Sequence, residues 1–227
     1  MTHLVDIFLQ PGKVFDALKD KPTFLLPLLL TAALSAALIL LWSMKVDPAW
    51  YLDHTLAAGG GDMSASEIEQ ARKVMPGARV MGYVGGAGAL LGTALAAALY
   101  ALYFMLAGKI TGTTTSFKHG LSLTGWAGMP LLLGTVVALL GVATMAPQTG
   151  MESLMLTNVD PLLLQLPVDS PWSTLAKNFS LLNLWAVFLI ALGWRTWGRT
   201  GWTQAIVVAA LPSVVIYGAM AAWALLK

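Results

Sequence analysis

Residues 80 to 108 form a run of 29 consecutive positions without one Asp, Glu, Lys, Arg or His. At ~1.5 Å of rise per residue, a helix of that length exceeds the ~30 Å hydrocarbon thickness of a bilayer. Four further uncharged runs cover 23–44, 120–145, 178–194 and 202–226. In hydrocarbon every backbone N–H and C=O must find a partner within the protein, so uncharged runs of about this length can only be helices. The sequence therefore predicts an all-α, polytopic membrane helix bundle with five transmembrane helices. It reads as a single membrane domain over 1–227, with residues 1–22 as an N-terminal interfacial helix.

The charges agree with that reading because they gather between the runs. Charged residues make up 11% of the chain and hydrophobic ones 57%, with mean hydropathy +0.73, against the ~25% charge of a soluble domain. A net charge of +2 is too small for a nucleic-acid partner. The absence of cysteine excludes disulfides, thiolate metal sites and a cysteine nucleophile.

Ahead of the first run, Pro11 suits the first turn of a helix and Val14, Phe15 and Leu18 share one face. Lys13, Asp16, Lys19 and Asp20 fall largely opposite, as in a helix lying in the headgroup layer. A cleaved signal peptide is not expected, because the 22 uncharged residues of 23–44 exceed the ~7–15 of a signal core.

Two long connections separate the spans. Residues 45–79 include a flexible break at Gly59, Gly60 and Gly61, then Ser64 and Glu67 at capping-box spacing. Residues 146–177 carry Pro147, Pro161, Pro167 and Pro171 and an apolar patch, Leu162, Leu163, Leu164 and Leu166, too short to span. These connections hold eight of the eleven acidic residues, while Lys13, Lys19, Lys21, Lys109, Lys118, Arg195 and Arg199 lie on short segments of the opposite side. The positive-inside rule then puts the N-terminus in the cytoplasm and the C-terminus outside. Trp42, Trp50, Tyr51, Trp172, Trp194, Trp197 and Trp202 fall near span ends, where aromatic rings anchor in headgroups.

No ionisable residue lies within a span, which argues against a proton-coupled carrier. Asn183 is the most polar residue at span depth, expected to bond between helices and, in the sharper reading, to contact a substrate. Tyr100, Tyr103, Thr93 and Thr124 could share a polar cavity with it, and Pro130 and Pro212 should kink their helices, with the freed carbonyls satisfied by neighbours. Gly88 and Gly92 have small-xxx-small spacing, a packing or dimerisation signal. His3, His54 and His119 are too scattered for a zinc site and read as solvated. Asp47–Pro48 and Asp160–Pro161 read as turn starts. Phosphate-loop, zinc-hydrolase and serine-hydrolase motifs are all absent, so neither an enzyme nor a bound cofactor or metal is expected.

Three segments resemble the Yip-domain family of five-span membrane proteins. The first is FLQPGKVFDALKDKPTFLLPLLL, with Pro11 and Phe15 in a P-x-x-x-F arrangement and Pro22 as the downstream proline. The second is SFKHGLSLTGWAGMPLLLGTVVALL, with Pro130 in its span, and the third is LLNLWAVFLIALGWRTWGRTGWTQAIVVAALP, with Trp185, Gly193 and Ala205. The resemblance implies a multi-pass protein of the short prokaryotic type, in a bacterial inner membrane. The eukaryotic branch implies binding to Rab-type GTPases through a large N-terminal region, and the short segment before the first span here does not fit it. Two functions are expected as alternatives. One is a non-enzymatic protein that organises the bilayer or scaffolds a membrane-protein partner or a second copy, with Val14, Phe15 and Leu18 as its contact surface. The other is a permease or lipid-handling protein with a cavity between kinked helices at Asn183, Tyr100, Tyr103, Thr124, Pro130 and Pro212, or else an accessory subunit of a larger membrane complex. Membrane lipids are partners in either.

Overall fold

A computed structural model describes residues 3–59, 64–167 and 170–226. Gly60 and Gly61 of the expected flexible break lie outside the described residues. The described residues are helical almost throughout, with one isolated antiparallel bridge between Asn158 and Ser180. In order, the helices are α1 (His3–Leu9), α2 (Pro11–Asp20), α3 (Leu25–Lys45), α4 (Pro48–Gly59), α5 (Ala65–Val74) and α6 (Ala78–Thr111). They continue as α7 (Phe117–Ala127), α8 (Met129–Thr144), a 3₁₀ turn (Met151–Leu154), α9 (Val159–Leu162), α10 (Ser173–Asn178), α11 (Leu182–Gly198) and α12 (Trp202–Leu225).

Three of these, α3, α6 and α12, are each long and apolar enough to cross a membrane. The third uncharged run is broken into α7 and α8, bent by 42° at Gly128, and as one bent span the pair makes four. Pro130 stands in the first turn of α8, where its missing N–H leaves no ladder bond unmade. The fourth run forms α11, whose 17 residues span about 25 Å at ~1.5 Å each, short of the hydrocarbon thickness.

Small residues set the packing. With lipid tails as apolar as leucine, helices gain little from burying apolar surface against one another, and close approach decides which faces meet. The α3–α6 pairing brings Gly82 against Ser43 and Gly86 against Leu40. At Gly120 a Cβ would stand 2.6 Å from the Ala101 Cα and carbonyl oxygen, so only glycine lets α7 lie on the α6 backbone. Gly88 and Gly92, by contrast, have open space where a Cβ would be, so they do not pack within the chain.

The N-terminal helix corrects one expectation. Val14, Phe15 and Leu18 do share a face of α2, but they are 0–1% exposed, packed with Leu123 of α7 and with Leu189, Ala191, Trp194 and Trp197 of α11. The surface expected to meet lipid is the docking face of α2 on the bundle. Gly193 makes room for it: a Cβ there would stand 2.6 Å from Leu123 Cδ1 and 2.9 Å from Phe15 Cδ1. The Trp197 indole N–H donates to the Phe15 carbonyl at 2.7 Å, and the His119 ring bonds the Lys19 carbonyl at 2.9 Å.

Consequently Trp194 and Trp197, expected in the headgroups, are interior residues at 0% and 7% exposure. The histidines are not simply solvated either. His54 bonds Glu152 at 2.8 Å and stacks on Trp50, while His3 meets Trp126 edge to face. Among the described residues no three His, Cys, Asp or Glu side chains could hold a metal ion.

The connections follow their local signals. Ser64 and Glu67 form the capping box of α5, and Asp47 caps α4 by accepting from the Trp50 N–H at 2.7 Å. Lys45 closes the end of α8 by donating to the Val142 and Ala143 carbonyls, both at 2.7 Å. Leu162, Leu163 and Leu164 are about half exposed.

Candidate functional site

Helices α6, α7, α8, α11 and α12 enclose a cavity of about 170 Å³. It lies beside the α7–α8 break at Gly128 and the first turns of α11, which begins at Leu182. Its polar lining is Tyr100, Thr124, Asn183, Ser213 and Tyr217; its remaining walls include Gly128, Leu131, Ala186 and Ile190. Among the described residues, no Lys, Arg, His, Asp or Glu lines it. An engineered cavity of ~150 Å³ takes a benzene, so this one admits a group of about that size.

Asn183 makes the interhelical bond expected of it and also lines the cavity. Its side-chain N–H donates to the Tyr217 hydroxyl at 2.6 Å, bonding α11 to α12, and the residue also lines the cavity. The Tyr217 hydroxyl in turn donates to the Asn178 carbonyl at 3.3 Å, just before α11 begins. The polar end of the cavity therefore lies towards one end of the bundle. Among the described residues, Asn183 Oδ1, the Tyr100 hydroxyl and the Ser213 hydroxyl take part in no hydrogen bond to protein, which leaves them available to a ligand.

A second concavity, about 500 Å³, runs between α6 and α12. Ala96, Leu99, Tyr103, Leu211, Pro212 and Val215 line it, and its walls are carbon nearly throughout. Leu99, Leu211 and Val215 are 47–60% exposed, so the groove opens on the outer face of the bundle. Tyr100 and Ile216 line both spaces and form a wall common to the polar cavity and the apolar groove.

The structure thus divides the residues expected to share one cavity. Asn183, Tyr100 and Thr124 meet in it. Tyr103 and Pro212 belong to the groove. Pro130 is buried beside the cavity, whose wall is made by its neighbours Gly128 and Leu131. Thr93 bonds the Ala89 carbonyl of its own helix at 2.7 Å and takes no part. Sequence reasoning missed Ser213 and Tyr217. Their spacing held the signal, since Ala209, Ser213, Ile216 and Tyr217 recur at i, i+4, i+7 and i+8 and so form one helix face.

No solved structure matches the chain. A membrane protein of Bacillus subtilis (strain 168), YknW, is 25% identical over 215 residues, covering 90% of this chain and 84% of that protein. The model of the Yip1 domain matches residues 5–223. That match runs from α1 through α12 and takes in the Phe15–Gly193 contact, the break at Pro130 and buried Ala205, so the chain belongs to the Yip1 domain family of membrane proteins.

Proposed function

We propose that this Yip1-family membrane protein handles lipid, holding one bilayer lipid with its polar end in the Asn183 cavity and an acyl chain in the α6–α12 groove. The observation that carries this reading is the wall of Tyr100 and Ile216 common to the two spaces. A lipid joins a small polar group to a long apolar chain, and the protein sets a small cavity with polar groups on its wall beside an apolar groove open on the outer face of the bundle. A partner helix in the groove would leave Asn183 Oδ1 and Ser213 unserved. The reading is non-enzymatic: among the described residues that line the cavity there is no nucleophile–base pair and no charged group.

In this reading the protein lies in the bacterial inner membrane with its N-terminus inside, and α11 makes the fifth crossing. The test is lipid retention after purification in mild detergent. Ala96→Trp would fill the groove from an exposed position without disturbing the core. Loss of co-purifying lipid with unchanged thermal stability is expected; equal retention by this variant would refute the reading.

Scaffolding is supported by a different observation, the open space beside Gly88 and Gly92, which leaves α6 a face that another helix could approach closely. Its use of Val14, Phe15 and Leu18 as a free surface conflicts with their burial.

A further inference from the structure

The groove cannot choose among lipids. Acyl chains are as well solvated by other acyl chains as by Leu99 or Val215, so transfer from bilayer to groove gains little and selectivity must come from the polar end. Every polar atom there is neutral: a carboxamide and four hydroxyls, from Asn183, Tyr100, Thr124, Ser213 and Tyr217. A phosphate placed among them would lose its hydration with no cation lining the cavity to receive it.

Backbone electrostatics point the same way. The N-terminus of α11 borders the cavity and would be the natural anion seat, but its first N–H groups are already taken. Leu182 N–H donates to Ser180 Oγ at 3.3 Å, Asn183 N–H to the Ser180 carbonyl at 3.0 Å and Leu184 N–H to the Leu181 carbonyl at 3.2 Å. On the opposite wall Gly128 is both the C-cap of α7 and the N-cap of α8, so the two helix ends offset one another there and supply no seat for an anion.

We infer that the lipid recognised is an uncharged, hydroxyl-bearing one of the diacylglycerol kind, its free hydroxyl bonded to Asn183 Oδ1 and Ser213. This inference rests on the lipid-handling reading above and narrows it to a headgroup class. The full chain would be placed in phosphatidylcholine nanodiscs containing equal amounts of dioleoylglycerol and dioleoylphosphatidic acid, which share their tails, and the retained lipid identified by native mass spectrometry. Dioleoylglycerol should be retained over phosphatidic acid. Ser213→Ala, which removes a hydroxyl with no protein partner and so spares the fold, should reduce that preference on the order of three- to tenfold. Equal or greater retention of phosphatidic acid would overturn the headgroup inference and leave the lipid reading standing. Retention of no lipid at all would overturn both.

Discussion

The Tyr103 hydroxyl donates to the Val208 carbonyl at 2.7 Å, and Val208 lies four residues before Pro212, whose ring nitrogen has no hydrogen to give it. A side chain of α6 thus completes the hydrogen-bond ladder of α12. The same bond ties together the two helices that flank the apolar groove.

Tyr103→Phe should cost about 1 kcal/mol, in the range measured for hydrogen bonds between membrane helices. In a Pro212→Ala background the cost should nearly vanish, because the new N–H at position 212 can reach the Val208 carbonyl. A double-mutant cycle by reversible unfolding in mild detergent checks this; equal costs in the two backgrounds would show that the bond does not serve the proline.

Gly193→Val should displace Phe15 and Leu123, which already stand where its first carbon would go. Phe15→Ala, by emptying the same contact, should cost about 3 kcal/mol. In both variants hydrogen exchange at the amides of α2 should quicken more than in α3, since α2 docks on α11 through that face. Unchanged exchange in α2 would contradict the packing.

Orientation can be read with single cysteines, because the chain has none of its own. Gly77 and Gly201 have open space beside their Cα atoms and lie at opposite ends of the bundle, before α6 and before α12. A membrane-impermeant maleimide should label Gly77→Cys on intact cells and Gly201→Cys only after permeabilisation. The reverse pattern would place the N-terminus outside.

At the capping box the Ser64 hydroxyl and backbone N–H both donate to the Glu67 carboxylate and hold its pKa below the ordinary 4.5. The folded form binds the proton less readily than the unfolded one, so this contribution is fully present above pH 4.5 and declines as pH falls through the lower folded value. Amide protection of α5 should follow that course, and Ser64→Ala should flatten it. A pH-independent protection in the parent protein would count against the cap.

Much of the architecture was legible because it obeys local rules. Uncharged runs must become helices in lipid, so helices cover most of each expected run: α6 extends 80–108 to Ala78–Thr111, while α11, at Leu182–Gly198, starts four residues into 178–194 and runs past it through Arg195. Pro130 broke its span, and Ser64 and Glu67 capped their helix, because each effect acts within one turn of chain. The polarity of Asn183 marked it as interior for the same reason: an amide in hydrocarbon needs a partner wherever it stands.

Tertiary structure decided which faces point inward. In water, an apolar stripe identifies the buried side of a helix; in a bilayer, lipid and protein interior are equally apolar, and the stripe loses that meaning. So Val14, Phe15 and Leu18 could be recognised as one face but not as the face docked on α11, and Trp194 and Trp197 could be taken for headgroup anchors while lying in the core. The choice came from shape and pairing at a distance in sequence: the space at Gly193, the Trp197 bond to Phe15 and the meeting of Asn183 with Tyr217. By itself the sequence determined where helices run and where they break. The packing of small residues and the pairing of polar ones, which no single segment encodes, determined the cavity.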